Sequence, residues 1–194
     1  MRVTHSDPTV KQSTLPICWT QSLVALQPRG MEIASEHSSG SGQGPEPAQT
    51  SLYEHAGGWG ALRRFVDIFY TDVLADPLLQ PLFGSGRPEH VDHLTAFDAE
   101  SFGGPDDFSR SIGFAHLIDA HRGLAIAEPQ RVRFVELYLA AADKAGLPAD
   151  HAFRTALREH VEFGSRVAVQ NSHAQTEADL HPLREVPHWH WPDS

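Results

Sequence analysis

The stretch His116-Leu-Ile-Asp-Ala-His121-Arg-Gly-Leu-Ala-Ile126 sets two histidines five residues apart on a short apolar segment, which Arg122-Gly123 closes. Five residues turn a helix through about 500°, so the two imidazoles leave it on different sides and cannot serve one centre. Helical patterns lie before and after. A segment this short, flanked by glycines and loop residues, suits a ligand-bearing element better than a full member of a helix bundle. A histidine so placed is either a packed residue or a ligand to a metal-bearing group.

Working outward, every periodic segment is helical. Leu52–His55 reads as one turn ending at Gly57-Gly58. Trp59–Leu74 carries Leu62, Phe65, Val66, Phe69, Tyr70, Val73 and Leu74 at i, i+3, i+4, i+7 spacing, the stripe of a helix with one buried face. Asp76-Pro77 stops it, because the residue before proline is pushed out of the helical region. Pro77–Phe83 fits a short turn and a loop, and Glu89–Phe102 the next helix, ended by Gly103-Gly104-Pro105. Asp106–Gly113, rich in Asp, Ser and Gly, is expected to be loop. Glu128–Ala145 and Asp150–Asn171 complete the set as two long amphipathic helices. No strand alternation occurs, so the fold class is all-α.

The flanks differ. Residues 1–50 read as a poorly structured leader with the linker Ser38-Ser-Gly-Ser-Gly-Gln-Gly-Pro-Glu-Pro47. Met31 offers an alternative start, and the apolar patch at Leu15–Leu26 is too broken by Thr20, Gln21 and Ser22 for a signal peptide. A domain is expected over 51–171, followed by an extended tail over 172–194 with Pro182, Pro187 and Pro192. The formal net charge of −10 argues against a nucleic-acid surface, which needs a basic stripe. No run approaches the roughly 18 apolar residues of a membrane span. One cysteine, Cys18, permits no intrachain disulfide and suits a cytoplasmic location.

These pieces together resemble the truncated haemoglobins, the two-over-two helical globins of bacteria, over about Leu52 to Asn171. Gly57-Gly58 is similar to the family's first glycine pair. Phe69-Tyr70, Val73-Leu-Ala-Asp-Pro77 and Leu82-Phe83 are similar to its distal segment. Phe102-Gly-Gly-Pro105 resembles its second glycine pair, and His121-Arg-Gly-Leu-Ala-Ile126 its proximal histidine segment. The tail Val186-Pro-His-Trp-His-Trp191 resembles that of some actinobacterial members, and a group II-like type is expected.

The resemblance implies a truncated two-over-two globin fold holding haem b, with His121 as the iron ligand and His116 as a surface or propionate contact. It implies Tyr70 as a distal hydrogen-bond donor, Phe83, Leu94, Phe97 and Ile126 as haem-wall residues, and His90 as a distal residue that hydrogen-bonds ligand or closes the sixth position. His93, one turn on from His90, is expected to face solvent. Asp98 stands where an apolar residue is usual; a carboxylate against a porphyrin is costly, so it is expected to turn outward. Phe134 occupies a position where one branch of the family carries a tryptophan, and phenylalanine cannot donate a hydrogen bond. The implied function is reversible binding of a diatomic ligand (O2, NO or CO). Nitric-oxide dioxygenation or peroxide handling remains open as an enzymatic role. The chain has no flavin or nicotinamide fingerprint, so any turnover requires an external reductase.

Two other classes stay in view. A helical bundle holding zinc or iron would draw on His90, His93 and His121 or His116, a His-x-x-His pair being able to supply two ligands. A haemless globin-fold sensor or interaction domain would need none of them.

Overall fold

The computed structural model describes residues 50–192; the expected leader and the Met31 start lie outside them. Among the described residues all regular structure is helical. The elements are α1 (Leu52–His55), α2 (Gly58–Ala75), α3 (Gln80–Phe83), α4 (Pro88–Ser101), α5 (Asp107–Ser111), α6 (Phe114–His121), α7 (Glu128–Lys144) and α8 (His151–His173). None is long and apolar enough to cross a membrane.

Local chemistry sets the ends. Ser51 accepts a hydrogen bond from the Glu54 amide while the Glu54 carboxylate accepts one from the Ser51 amide, a reciprocal cap that starts α1. Gly57 and Gly58 both take positive φ, 98° and 68°, and let the chain reverse from α1 into α2. Asp76 ends α2 and accepts from the Leu78 and Leu79 amides, while its other oxygen pairs with Arg133 at 2.7 Å. Asp150 caps α8 by accepting from the Phe153 amide.

Helix α2 packs against α4 and α7, and α7 against α8, so the pairs α2/α4 and α7/α8 form the two-over-two layers. The stripe read from the sequence is the centre of the core: Leu62, Phe65, Val66, Phe69 and Val73 are fully buried. Phe65 and Phe69 meet the ring of Tyr138 edge-on, at centroid separations of 4.7 and 5.3 Å. A side chain at Gly104 would meet the Ala99 carbonyl at 2.7 Å and the Tyr53 ring at 2.8 Å, so this glycine permits the α4 turn to close on α1.

The expected loop at Asp106–Gly113 instead holds α5. Phe108, fully buried, packs edge-on against Phe97 at 5.2 Å, and that tertiary contact overrides the local turn composition. After α8 the chain lacks regular structure except one 3-10 turn at Glu177–Asp179, but it is not free of the body. Leu180 and Val186 are buried in a second core with Phe108, Phe114 and Ile118. The Trp189 amide donates to the Ser101 carbonyl at 2.7 Å, and the Trp191 indole to the Thr50 carbonyl at 2.6 Å.

Candidate functional site

Between the layers lies a cavity of about 230 Å³, walled mainly by apolar side chains. Tyr70, Phe83, His90, Leu94, Phe97, His121, Ile126 and Phe134, the eight residues singled out from the sequence, all line it. They come from α2, α3, α4, α6, the loop after α6, and α7. His116 is not among the lining residues.

His121 closes α6. Its Nδ1–H donates to the Leu117 carbonyl at 2.7 Å, one turn back on the same helix. That bond fixes the tautomer and leaves the lone pair of the neutral ring on Nε2, the arrangement a metal-ligating imidazole needs. Burial lowers the His121 pKa against the opposing effect of the carbonyl, favouring the neutral ring. The following segment is strapped to α8. The amides of Gly123 and Ala125 donate to the Ser172 carbonyl, and the Ile126 amide to the Ser172 hydroxyl at 3.0 Å. Ala125 is held at φ 50°, a left-handed conformation that a non-glycine residue keeps only where its surroundings demand it.

Tyr70 and His90 form a couple in the wall. The Tyr70 hydroxyl lies 2.7 Å from His90 Nδ1 and accepts from the Arg87 amide at 2.9 Å. Phe83 meets Tyr70 edge-on at 6.0 Å. Burial raises the Tyr70 pKa and lowers that of His90, so a protonated phenol faces a neutral imidazole. Phe134 packs edge-on against Phe69 at 4.9 Å and brings no polar atom.

Two expectations are corrected. His93 lines the cavity instead of facing solvent, because the next turn of α4 continues the face that carries His90. Asp98 does not turn outward. It is fully buried and pairs with His160 of α8 at 3.0 Å, a partner that sequence reading did not identify. His160 sits 62 residues further on in a helix read only for its apolar stripe, so no local signal linked the two. Tyr138 and Arg131 of α7 are further lining residues missed from sequence. Among the described residues, no three His, Cys, Asp or Glu side chains converge as a group able to hold a metal ion.

The donor set fits haem: one imidazole with a locked Nδ1–H, a mainly apolar wall, and a phenol–imidazole couple lining the same space. Comparison with known proteins agrees. Residues 51–170 match the family model described as bacterial-like globin. The chain is 32% identical over 81 residues to a group 1 truncated haemoglobin of Nostoc commune, a match covering 41% of this chain and 65% of that protein, so it spans just under two thirds of the curated relative's length. Its structure is similar to the haemoglobin of the thermophilic phototrophic bacterium Chloroflexus aurantiacus, with TM-score 0.57 and 32% identity over 62% of this chain and 98% of that one. It is similar too to a thermostable haemoglobin of the actinobacterium Thermobifida fusca, with TM-score 0.55 and 29% identity over 62% and 97% of the two chains. Matched over more than half its length and built as a two-over-two helical sandwich, the chain belongs to the bacterial-like globin family, among the truncated haemoglobins.

Proposed function

We propose that the cavity takes haem b and that the protein binds a diatomic ligand, oxygen first among them, reversibly. The observation that carries this reading is His121, whose Nδ1–H is committed to the Leu117 carbonyl while its ring lines an apolar cavity. When bound, the haem iron supplies the site at which a diatomic molecule coordinates. His121 would hold that iron through Nε2. Phe83, Leu94, Phe97, Ile126 and Phe134 would cover the porphyrin and exclude water.

Tyr70 and His90 form one hydrogen-bonded couple in which either group can be the donor. If Tyr70 donates to His90 Nδ1, the ring proton sits on Nε2; if His90 Nδ1–H donates to Tyr70, the phenol proton is released toward the cavity. Either donor would steady the outer atom of a bound diatomic ligand and slow its loss. The domain is taken as 51–171, followed by the tail over 172–194, working in the cytoplasm. Turnover of nitric oxide or peroxide would need electrons from an external reductase.

The test is the absorption spectrum of the purified protein, ferric and then reduced, with and without carbon monoxide. A Soret band that shifts at both steps is expected. No such band after hemin is added would overturn the reading in favour of a haemless domain or a non-haem metal site.

A further inference from the structure

A second, smaller cavity of about 40 Å³ adjoins the first, bounded by α4, α6, α8 and the tail. Phe97, Leu117, His121 and Gly164 line both. Ile118 of α6, Val167 of α8, and Leu183 and Pro187 of the tail line only the smaller one. The last two lie beyond residues 51–170, the part that matches the family model, so this space is built partly by the chain's own tail.

The lining selects the guest. Two polar side chains reach the cavity, and each already has a partner. His121 Nδ1–H donates to the Leu117 carbonyl, and Asn171 Oδ1 accepts the His181 amide at 3.0 Å. The remaining walls are aromatic, aliphatic, glycine and proline. Water needs several polar partners to stay, whereas apolar cavities stay dry and take apolar guests. One water-sized sphere takes roughly 10–15 Å³, so there is room for a diatomic molecule and little more. Gly164 sits at the boundary of the two cavities, inside α8, although glycine weakens a helix interior. Close packing does not require it, since a Cβ placed there meets no heavy atom within 4 Å. Its effect is to leave room.

We propose that this smaller cavity is a docking site for one small apolar gas molecule, dioxygen, held beside His121 by dispersion contacts with the surrounding rings and methyl groups. Because Phe97, Leu117 and Gly164 bound both cavities, the docked gas lies one layer of residues from the larger one. The site itself needs no haem; its use as a store for the ligand of the iron rests on the haem reading.

The experiment uses the full chain without added haem, with the methyl groups of isoleucine, leucine and valine ¹³C-labelled. Xenon is the first probe and dioxygen the second, each raised stepwise in pressure. Saturable xenon shifts are expected at Ile118, Val167 and Leu183, together with excess paramagnetic relaxation of the same methyls under dioxygen. Leu183→Trp, which adds bulk to the wall, should remove the xenon shifts at Ile118 and Val167. Undiminished shifts in that variant, once folded, overturn the proposal. In the wild-type chain, shifts that rise only linearly with pressure, no excess relaxation, or a long-lived water in contact with these methyls overturn it without any variant. A missing Soret band leaves these signals untouched, so the two readings fail separately.

Discussion

The Tyr70 hydroxyl lies 2.7 Å from His90 Nδ1 and accepts the Arg87 amide at 2.9 Å, so one phenol ties α2 to the start of α4. Its replacement therefore has two consequences. Tyr70→Phe should speed oxygen dissociation on the order of tenfold, the effect of one hydrogen bond lost from the ligand or from the imidazole that contacts it. It should also leave the Arg87 amide without its acceptor and cost about 1–3 kcal/mol of stability. Flash photolysis and denaturant unfolding read the two effects separately. An unchanged off-rate with the stability loss present would confine Tyr70 to a structural role.

His121→Gly should release haem, since the other lining histidines stand on α4 and α8 and not on the strapped α6 segment. Free imidazole at millimolar concentration is expected to restore a Soret band by filling the gap. Retention of a five-coordinate ferrous spectrum in the variant without imidazole would show that another residue ligates the iron.

His90 is held neutral, its pKa lowered by burial and then by neighbouring His93 and Arg87. The unfolded chain binds a proton at this ring near the ordinary value of 6.5, where the folded chain does not. Stability of the haem-free protein is therefore full above about pH 6.5 and falls as the pH drops from there toward the depressed folded value. His90→Gln should lessen that loss without abolishing it, because burial lowers the pKa of His93 and His121 as well. A second loss follows in acid from Asp76, whose carboxyl the Arg133 guanidinium holds below its ordinary 3.8: its contribution is present above that value and vanishes beneath it. Unfolding midpoints measured from pH 8 to pH 3 check both.

Asp98 and His160 make a pair sealed from water. Removing the carboxylate leaves the buried His160 Nε2–H without its acceptor, so Asp98→Ala should cost about 1–3 kcal/mol. The double change Asp98→Leu with His160→Leu should cost clearly less than the sum of the two single leucine substitutions, because the desolvation penalty disappears with both groups. Additive single effects, measured by denaturant unfolding, would argue against coupling.

The tail contributes to the fold through Leu180 and Val186, buried against Phe108, Phe114 and Ile118. Leu180→Ala should cost about 2 kcal/mol and lower Tm by roughly 4–8 °C. A change below 1 °C would mean that the tail leaves the body in solution.

Much of this protein was legible in one dimension. The i, i+3, i+4 stripe from Leu62 to Leu74 located α2 and its buried face, because helical periodicity is a local property of the chain. Glycine pairs and Asp76-Pro77 marked the reversals for the same reason. The order of glycine pairs, Tyr70 and His121 pointed to the globin family, and every residue named for the cavity wall lies on it. Other features exist only once the helices pack. Asp106–Gly113 has a turn composition, yet α5 forms where Phe108 finds Phe97. His93 reads as a solvent residue until α4 turns its face to the cavity. The tail has no periodicity to read, and its Trp189 and Trp191 meet backbone carbonyls far away in sequence. Asp98 reads as a misfit because its partner His160 lies 62 residues on. The chain's local patterning determined where the long helices run and which histidine stands at a helix end. Tertiary structure alone decided where each buried polar group found its partner, because hydrogen bonds and desolvation act through space and leave no period in the sequence.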